Sequence, residues 1–114
     1  MQRIDSREKT LGTGKYVEDM RMTGMLYGSA LRTPAPRAFI RSIDTDGAKK
    51  IPGVHAVLTA DDIPGERYPG HLKHDWPVLV AAGEESRYIG DAIALVAAES
   101  QAVLREARQA IVVA

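Results

Sequence analysis

The sequence predicts a single α+β domain, a small mixed sheet with two helices, and three observations predict it. Strand-length apolar runs at Met25–Arg32, Val54–Thr59 and Ala92–Ala98 are each flanked by glycine or proline turns. One helix, Gln101–Ala110, stands directly behind a capping serine, Ser100. The chain of 114 residues has no cysteine, a length that suits one domain over 1–114. Such a chain buries roughly two-thirds of its unfolded surface without covalent staples.

The elements follow in order. Met1–Tyr16 is polar and punctuated by glycine, and reads as an extended arm leading into the domain. Met25–Arg32 alternates as a strand, with Tyr27 and Leu31 on one face and Leu26 and Ala30 on the other. Thr33-Pro34-Ala35-Pro36 stops it, because proline has no donor N–H. Ala38–Ile43 resumes as a strand. Asp44 or Thr45 caps a short helix over Asp46–Lys50, whose two lysines suit its negative end. Pro52-Gly53 turns the chain into the β-branched Val54–Thr59, and Thr59–Asp62 forms one capped turn stopped by Pro64-Gly65.

From Pro64 to Pro77 no period is usable, and a loop of that length in a small domain is functional or mobile. Trp76 is expected to anchor its far end. Val78–Ala81 is a short apolar run and Ser86–Ile89 another candidate strand. Gly90-Asp91 is placed to make a hairpin turn into Ala92–Ala98, whose continuous apolarity implies burial on both faces. Along the final helix Val103, Ala107 and Ala110 make one narrow stripe. Ile111–Ala114 begins a further strand, an apolar ending that suggests a domain cut from a longer polypeptide.

Composition excludes several classes of function. Fifteen basic and fifteen acidic residues balance, which gives no support for nucleic-acid or anionic-membrane partners. Aromatics at 5% are too few for a single-strand stacking platform. No apolar run approaches the ~18 residues of a membrane span, and Met1–Thr10 is too charged for a signal peptide, so the cytoplasm is the default compartment. Without cysteine the chain offers no thiolate zinc site, no iron–sulfur ligation and no thiol nucleophile.

Local chemistry is sparse. Gly12-Thr13-Gly14-Lys15 suggests a phosphate loop, but Lys9 stands where the first glycine belongs and Tyr16 where Ser or Thr belongs, so it reads as a turn. His71, His74 and Asp75 offer three zinc-type ligands, although Pro69, Gly70 and Pro77 argue against the helix that would align them; a solvated pair is the plainer reading. The adjacent pairs Asp61-Asp62 and Glu84-Glu85 point apart, so they are expected to serve a helical turn and a solvated bend. Arg32, Arg37 and Arg41 around the Pro-rich bend suggest an anion patch or a plain solvated face. The serines lack a nucleophile-elbow context, and Met20, Met22 and Met25 suit packing. No catalytic site assembles from these residues.

Taken together, several segments resemble one family in the right order. Gly14-Lys15-Tyr16-Val17-Glu18-Asp19 looks like a Gly-x-x-Tyr-x-x-Asp-type entry, and Leu31-Arg32-Thr33-Pro34-Ala35-Pro36-Arg37-Ala38 resembles a Ser-Pro-x-Ala bend. The stretch from Ile43-Asp44-Thr45 through Ile51-Pro52-Gly53-Val54-His55-Ala56-Val57-Leu58-Thr59-Ala60-Asp61-Asp62-Ile63-Pro64-Gly65, and then Tyr88-Ile89-Gly90-Asp91-Ala92-Ile93-Ala94-Leu95-Val96-Ala97-Ala98-Glu99-Ser100, completes the set. The chain is similar over nearly its whole length to the N-terminal α/β-hammerhead domain of the molybdopterin-binding subunit of xanthine dehydrogenase/aldehyde oxidase-type molybdenum hydroxylases.

The resemblance implies an enzyme that hydroxylates N-heteroaromatics or aldehydes with oxygen from water. Molybdopterin-molybdenum, [2Fe–2S] centres and usually FAD would serve the full enzyme, with none of them bound by this chain, which alone would be inactive. It implies partners in the remaining molybdopterin-binding domains and in iron–sulfur and flavin subunits or domains, and no catalytic or cofactor-binding residue carries over. It also implies that the loop after the Asp-Asp-x-Pro-Gly stretch approaches the substrate funnel, which makes His71 and Leu72 the candidate substrate-channel residues. Arg37-Ala38-Phe39 departs from a family pattern that often has His before Ala-Arg. A free-standing α+β binding module without catalysis is the alternative reading.

Overall fold

The computed structural model describes residues 4–70 and 72–114. Its strands are β1 (Tyr27–Arg32), β2 (Ile43–Asp44), β3 (Val54–Leu58), β4 (Ala92–Ala98) and β5 (Val112–Val113). Its helices are α1 (Ser6–Thr10), α2 (Asp46–Lys49) and α3 (Gln101–Ala110), with 3₁₀ turns at Val17–Asp19 and Ala60–Asp62. The α+β class holds, but the sheet is not one mixed sheet. The strands divide into a three-stranded sheet ordered β1-β4-β3 and a two-stranded sheet β2-β5, and every pairing is antiparallel. The most apolar strand, β4, takes the centre, as continuous apolarity requires.

The helix-side core shows why α3 forms where it does. Ser100 Oγ accepts the Val103 N–H at 3.3 Å, which starts the helix as its cap. Leu104 and Ala107 are then buried against Val57, Ala94, Val96 and Ala98, with Val103 and Ala110 at the margin. The expected stripe therefore lacked its main member: Leu104 lies one position after Val103, and the buried face is wider than three small residues. Helix α2 adds Ala48 to the same cluster. Its start is capped by Asp44 Oδ1, which accepts the Asp46 N–H at 2.9 Å, while Thr45 makes no side-chain cap.

Four local expectations change. Part of the arm is helical, α1, although it buries nothing. The stretch 38–43 is not one strand but serves two partners in succession. Phe39 bridges Glu85, then Arg41 N–H and Ala114 N–H bond across to the opposite segment's carbonyls, and Ile43 pairs with Val113. Ser86–Ile89 makes no strand, because only Ser86 N–H reaches the Ala38 carbonyl, at 2.8 Å. Gly90-Asp91 is a turn, with Gly90 at φ +95°, but not a hairpin. Gly90 N–H bonds the Thr33 carbonyl and Thr33 N–H bonds the Asp91 carbonyl, so the turn docks on the end of β1.

The second face of β4 is covered at one end alone. Ile93 is buried with Ile40 and Val80, whereas the next two outward-facing residues are Leu95 and Ala97. Register aligns Ala30, Leu95 and Leu58 in one row and Gly28, Ala97 and Ala56 in the next. Together these residues line an apolar trough of about 460 Å³ with Arg32 at its rim.

Candidate functional site

The long loop from Pro64 to Pro77 is held at its base by one carboxylate. Tyr68 Oη donates to Glu84 Oε1 at 2.5 Å, and Arg67 Nη2 and the Ala81 N–H donate to Glu84 Oε2 at 2.9 and 3.0 Å. Val78 N–H closes the base by donating to the Arg67 carbonyl at 2.8 Å. Burial pushes the Glu84 carboxyl up, but the hydrogen bonds from Tyr68, Ala81 and Arg67 outweigh it and hold the group below its ordinary value. The same bond to Glu84, aided by burial, raises the Tyr68 phenol. Glu84 is therefore no solvated bend. Its neighbour Glu85 does face solvent, paired with Arg37 Nη2 at 2.7 Å.

Trp76 anchors the loop less than expected. It is 54% exposed and rests tilted on Tyr88, ring centroids 5.2 Å apart. The pinning belongs to Glu84, a polar residue that apolar patterning cannot single out. At the far tip the backbone of Gly70 approaches the Lys73 carbonyl so closely that a Cβ on Gly70 would lie 1.9 Å from the oxygen. Leu72 is 97% exposed. His71, the other candidate channel residue, lies outside the described residues.

The remaining candidates do not converge. His74 Nδ1 faces Glu66 Oε1 at 2.7 Å and the Tyr68 carbonyl at 3.2 Å. Among the described residues no group of three His, Cys, Asp or Glu side chains is arranged to hold a metal ion, and His71 of the His71, His74 and Asp75 set lies outside them. Asp62 caps its own turn, with Oδ2 accepting the Thr59 N–H at 2.7 Å and the Thr59 hydroxyl at 3.1 Å, and both bonds lower its pKa. Arg32 donates to the Gly90 carbonyl and Arg37 to Glu85, so these two arginines serve different partners. Gly12 turns the arm at φ +70°. No helix among the described residues is long and apolar enough to cross a membrane.

The arrangement offers a loop tied at its base to Glu84 and an open apolar sheet face. Comparison with known proteins gives that arrangement a context. Residues 11–114 match the family model described as "Aldehyde oxidase and xanthine dehydrogenase, a/b hammerhead domain". The chain is 44% identical over 109 residues to a probable xanthine dehydrogenase subunit from Bacillus subtilis, covering 96% of this chain and 14% of that protein. It is 40% identical over 111 residues to the nicotinate dehydrogenase large molybdopterin subunit of Eubacterium barkeri, covering 97% and 26%. Among solved structures, a Cu,Mo-CO dehydrogenase superposes with a TM-score of 0.87 at 35% identity, over 100% of this chain and 14% of that one. Quinoline 2-oxidoreductase from Pseudomonas putida 86 superposes with a TM-score of 0.83 at 30% identity, over 100% and 15%. The chain thus spans about a quarter or less of the length of these relatives. The matching order of elements, the coverage and the identities agree: this chain belongs to the aldehyde oxidase and xanthine dehydrogenase α/β-hammerhead domain family.

Proposed function

We propose that this chain, residues 1–114, works as one hammerhead domain of the molybdopterin-binding subunit of a cytoplasmic molybdenum hydroxylase acting on an N-heteroaromatic or an aldehyde. The bound molybdenum cofactor would replace a substrate C–H with C–OH, taking oxygen from water, and pass two electrons toward [2Fe–2S] and flavin groups on partner subunits or domains. The residues described here bind none of these groups in this reading. The work of the chain is to wall the substrate approach, with His71 and Leu72 as its channel residues, and to pack against the cofactor domains.

The observation that carries the reading is how much apolar surface the chain leaves uncovered. Its radius of gyration is 18.1 Å, where a self-contained globule of this length has about 13 Å. Leu58 and Leu95 on the sheet, and Leu11, Tyr16, Val17, Met20 and Met22 along the arm, are all exposed. A domain built to be enclosed by others has this surface; a free-standing module rarely does.

The test uses the intact enzyme. A Leu58→Glu/Leu95→Glu double variant is expected to lose assembled, molybdenum-loaded enzyme, measured by gel filtration and metal analysis. His71→Leu is expected to assemble normally and to change the ratio of kcat/KM between substrates with and without a hydrogen-bond acceptor. Full assembly of the first variant overturns the packing role, and unchanged kinetics across several substrates for the second overturns the channel role.

A further inference from the structure

A second groove, which shares Gly28 and Ser29 with the border of the open sheet face, lies between the outer edge of β1 and helix α3. It encloses about 610 Å³ and is lined by Ser29 and Leu31 from the strand and by Gln101, Arg105, Arg108 and Gln109 from the helix. Two independent features of its walls are unfinished. Strand β1 is an edge: its inner side pairs with β4 and its outer side has no strand partner among the described residues. Such an edge is a template for another extended chain.

The second feature is charge. Neither Arg105 nor Arg108 has a carboxylate partner within ion-pair distance among the described residues. Arg108 Nη1 donates to Ser29 Oγ at 3.1 Å, which holds the guanidinium over the strand, and its Nε is buried without a hydrogen-bond partner. A buried, unbonded N–H is costly, and a small turn of the guanidinium onto an incoming carboxylate would relieve it. Placement in the last turn of α3 suits Arg108 to the helix dipole. That accounts for one cation and leaves Arg105, a turn earlier, without a role.

We propose that this groove is the docking site of an extended acidic protein segment from outside residues 1–114, laid along the β1 edge with a carboxylate on Arg105 and Arg108. The dimensions favour a peptide over a free anion. From Gln101 to Gln109 the helix runs about 12 Å, the reach of roughly four extended residues, and a single phosphate or carboxylate would occupy one end of it. The glutamines at the two ends offer amides to a passing backbone. The inference rests on the reading of the chain as a domain packed within a larger enzyme.

The experiment is zero-length carbodiimide cross-linking of the intact enzyme in Arg105→Lys and Arg108→Lys variants, with the products mapped by mass spectrometry. A carbodiimide joins an amine only to a carboxylate already in contact with it. The expected result is a link from position 105 or 108 to an Asp or Glu on a segment outside residues 1–114. Reversing that carboxylate to Lys in an Arg105→Glu/Arg108→Glu enzyme is then expected to restore the assembly that the double reversal loses. Absence of any link overturns the proposal, as does a link confined to residues 1–114 or one between two copies of this chain in an isotope-mixed sample. Hydroxylase activity and molybdenum content are read separately. A mapped link in an enzyme with no molybdenum chemistry would keep the docking site and discard the proposed function, and the reverse pattern would do the opposite.

Discussion

Val96 and Leu95 are neighbours in the same strand, yet one is 2% exposed and the other 40%. The difference is what each face meets. Val96 points at α3 and α2, and its row contains the largest cluster of buried side chains in the described residues. Leu95 points the other way, where Ile40 and Val80 cover Ile93 and then stop. An unbroken apolar strand announces that both faces will be covered. It does not announce that both covers belong to the same chain.

The comparison can be broken most directly at the covered face. Leu104→Ala removes the main side chain that α3 lays on β4 and is expected to cost about 3 kcal/mol, read from urea unfolding. Next comes the partly covered end. Glu84→Gln removes the charge that holds Tyr68, Arg67 and the Ala81 N–H beside Val80, at an expected cost of about 2 kcal/mol. The loss should appear first as faster hydrogen exchange at Val78 and Val80, before global unfolding.

Acid should mimic that change. The Glu84 pKa is lowered on folding from an ordinary value of 4.5, so its contribution is complete above that value and is lost as pH falls through the lower folded one. Fluorescence of the single Trp76, tilted against Tyr88, gives the readout. An acid transition of equal size in Glu84→Gln would assign the effect to other carboxylates.

Ser100→Ala tests the start of the covering helix and should cost about 1 kcal/mol. The smallest effect is the sharpest contrast. Leu95→Ala in this chain should change stability by about 0.5 kcal/mol or less, because the side chain leaves no cavity behind. A loss matching that of Leu104→Ala would mean the two faces are equivalent after all.

The legible part of the molecule was its local punctuation. Ser100 before an apolar-periodic run, the Thr59–Asp62 turn and the β-branched Val54–Leu58 all behave as their residue types dictate. Long-range choices were not legible. Nothing in Ala38–Ile43 says that Phe39 will meet Glu85 while Ile43 meets Val113, since the switch depends on where the C-terminal strand arrives. The loop's length marked it from sequence, but its true anchor, Glu84, looked like half of an ordinary solvated pair. Polar groups acquire meaning from partners sixteen or so residues away, and no period encodes that. The groove at Arg105 and Arg108 was missed for the same reason: the apolar stripe of the helix is silent about its charges, and only the nearby edge of β1 makes them a pair.

The strand order carries a consequence for the time course of folding. Both partners of β4 come earlier in the chain, and β1 meets it across about 60 to 70 intervening residues. The outer strands have no pairing with each other to fall back on, so on a ribosome β1 and β3 wait, unpaired, until β4 and then α3 emerge. The interval during which this chain is most open to misassociation is therefore set by translation speed between residues 58 and 110.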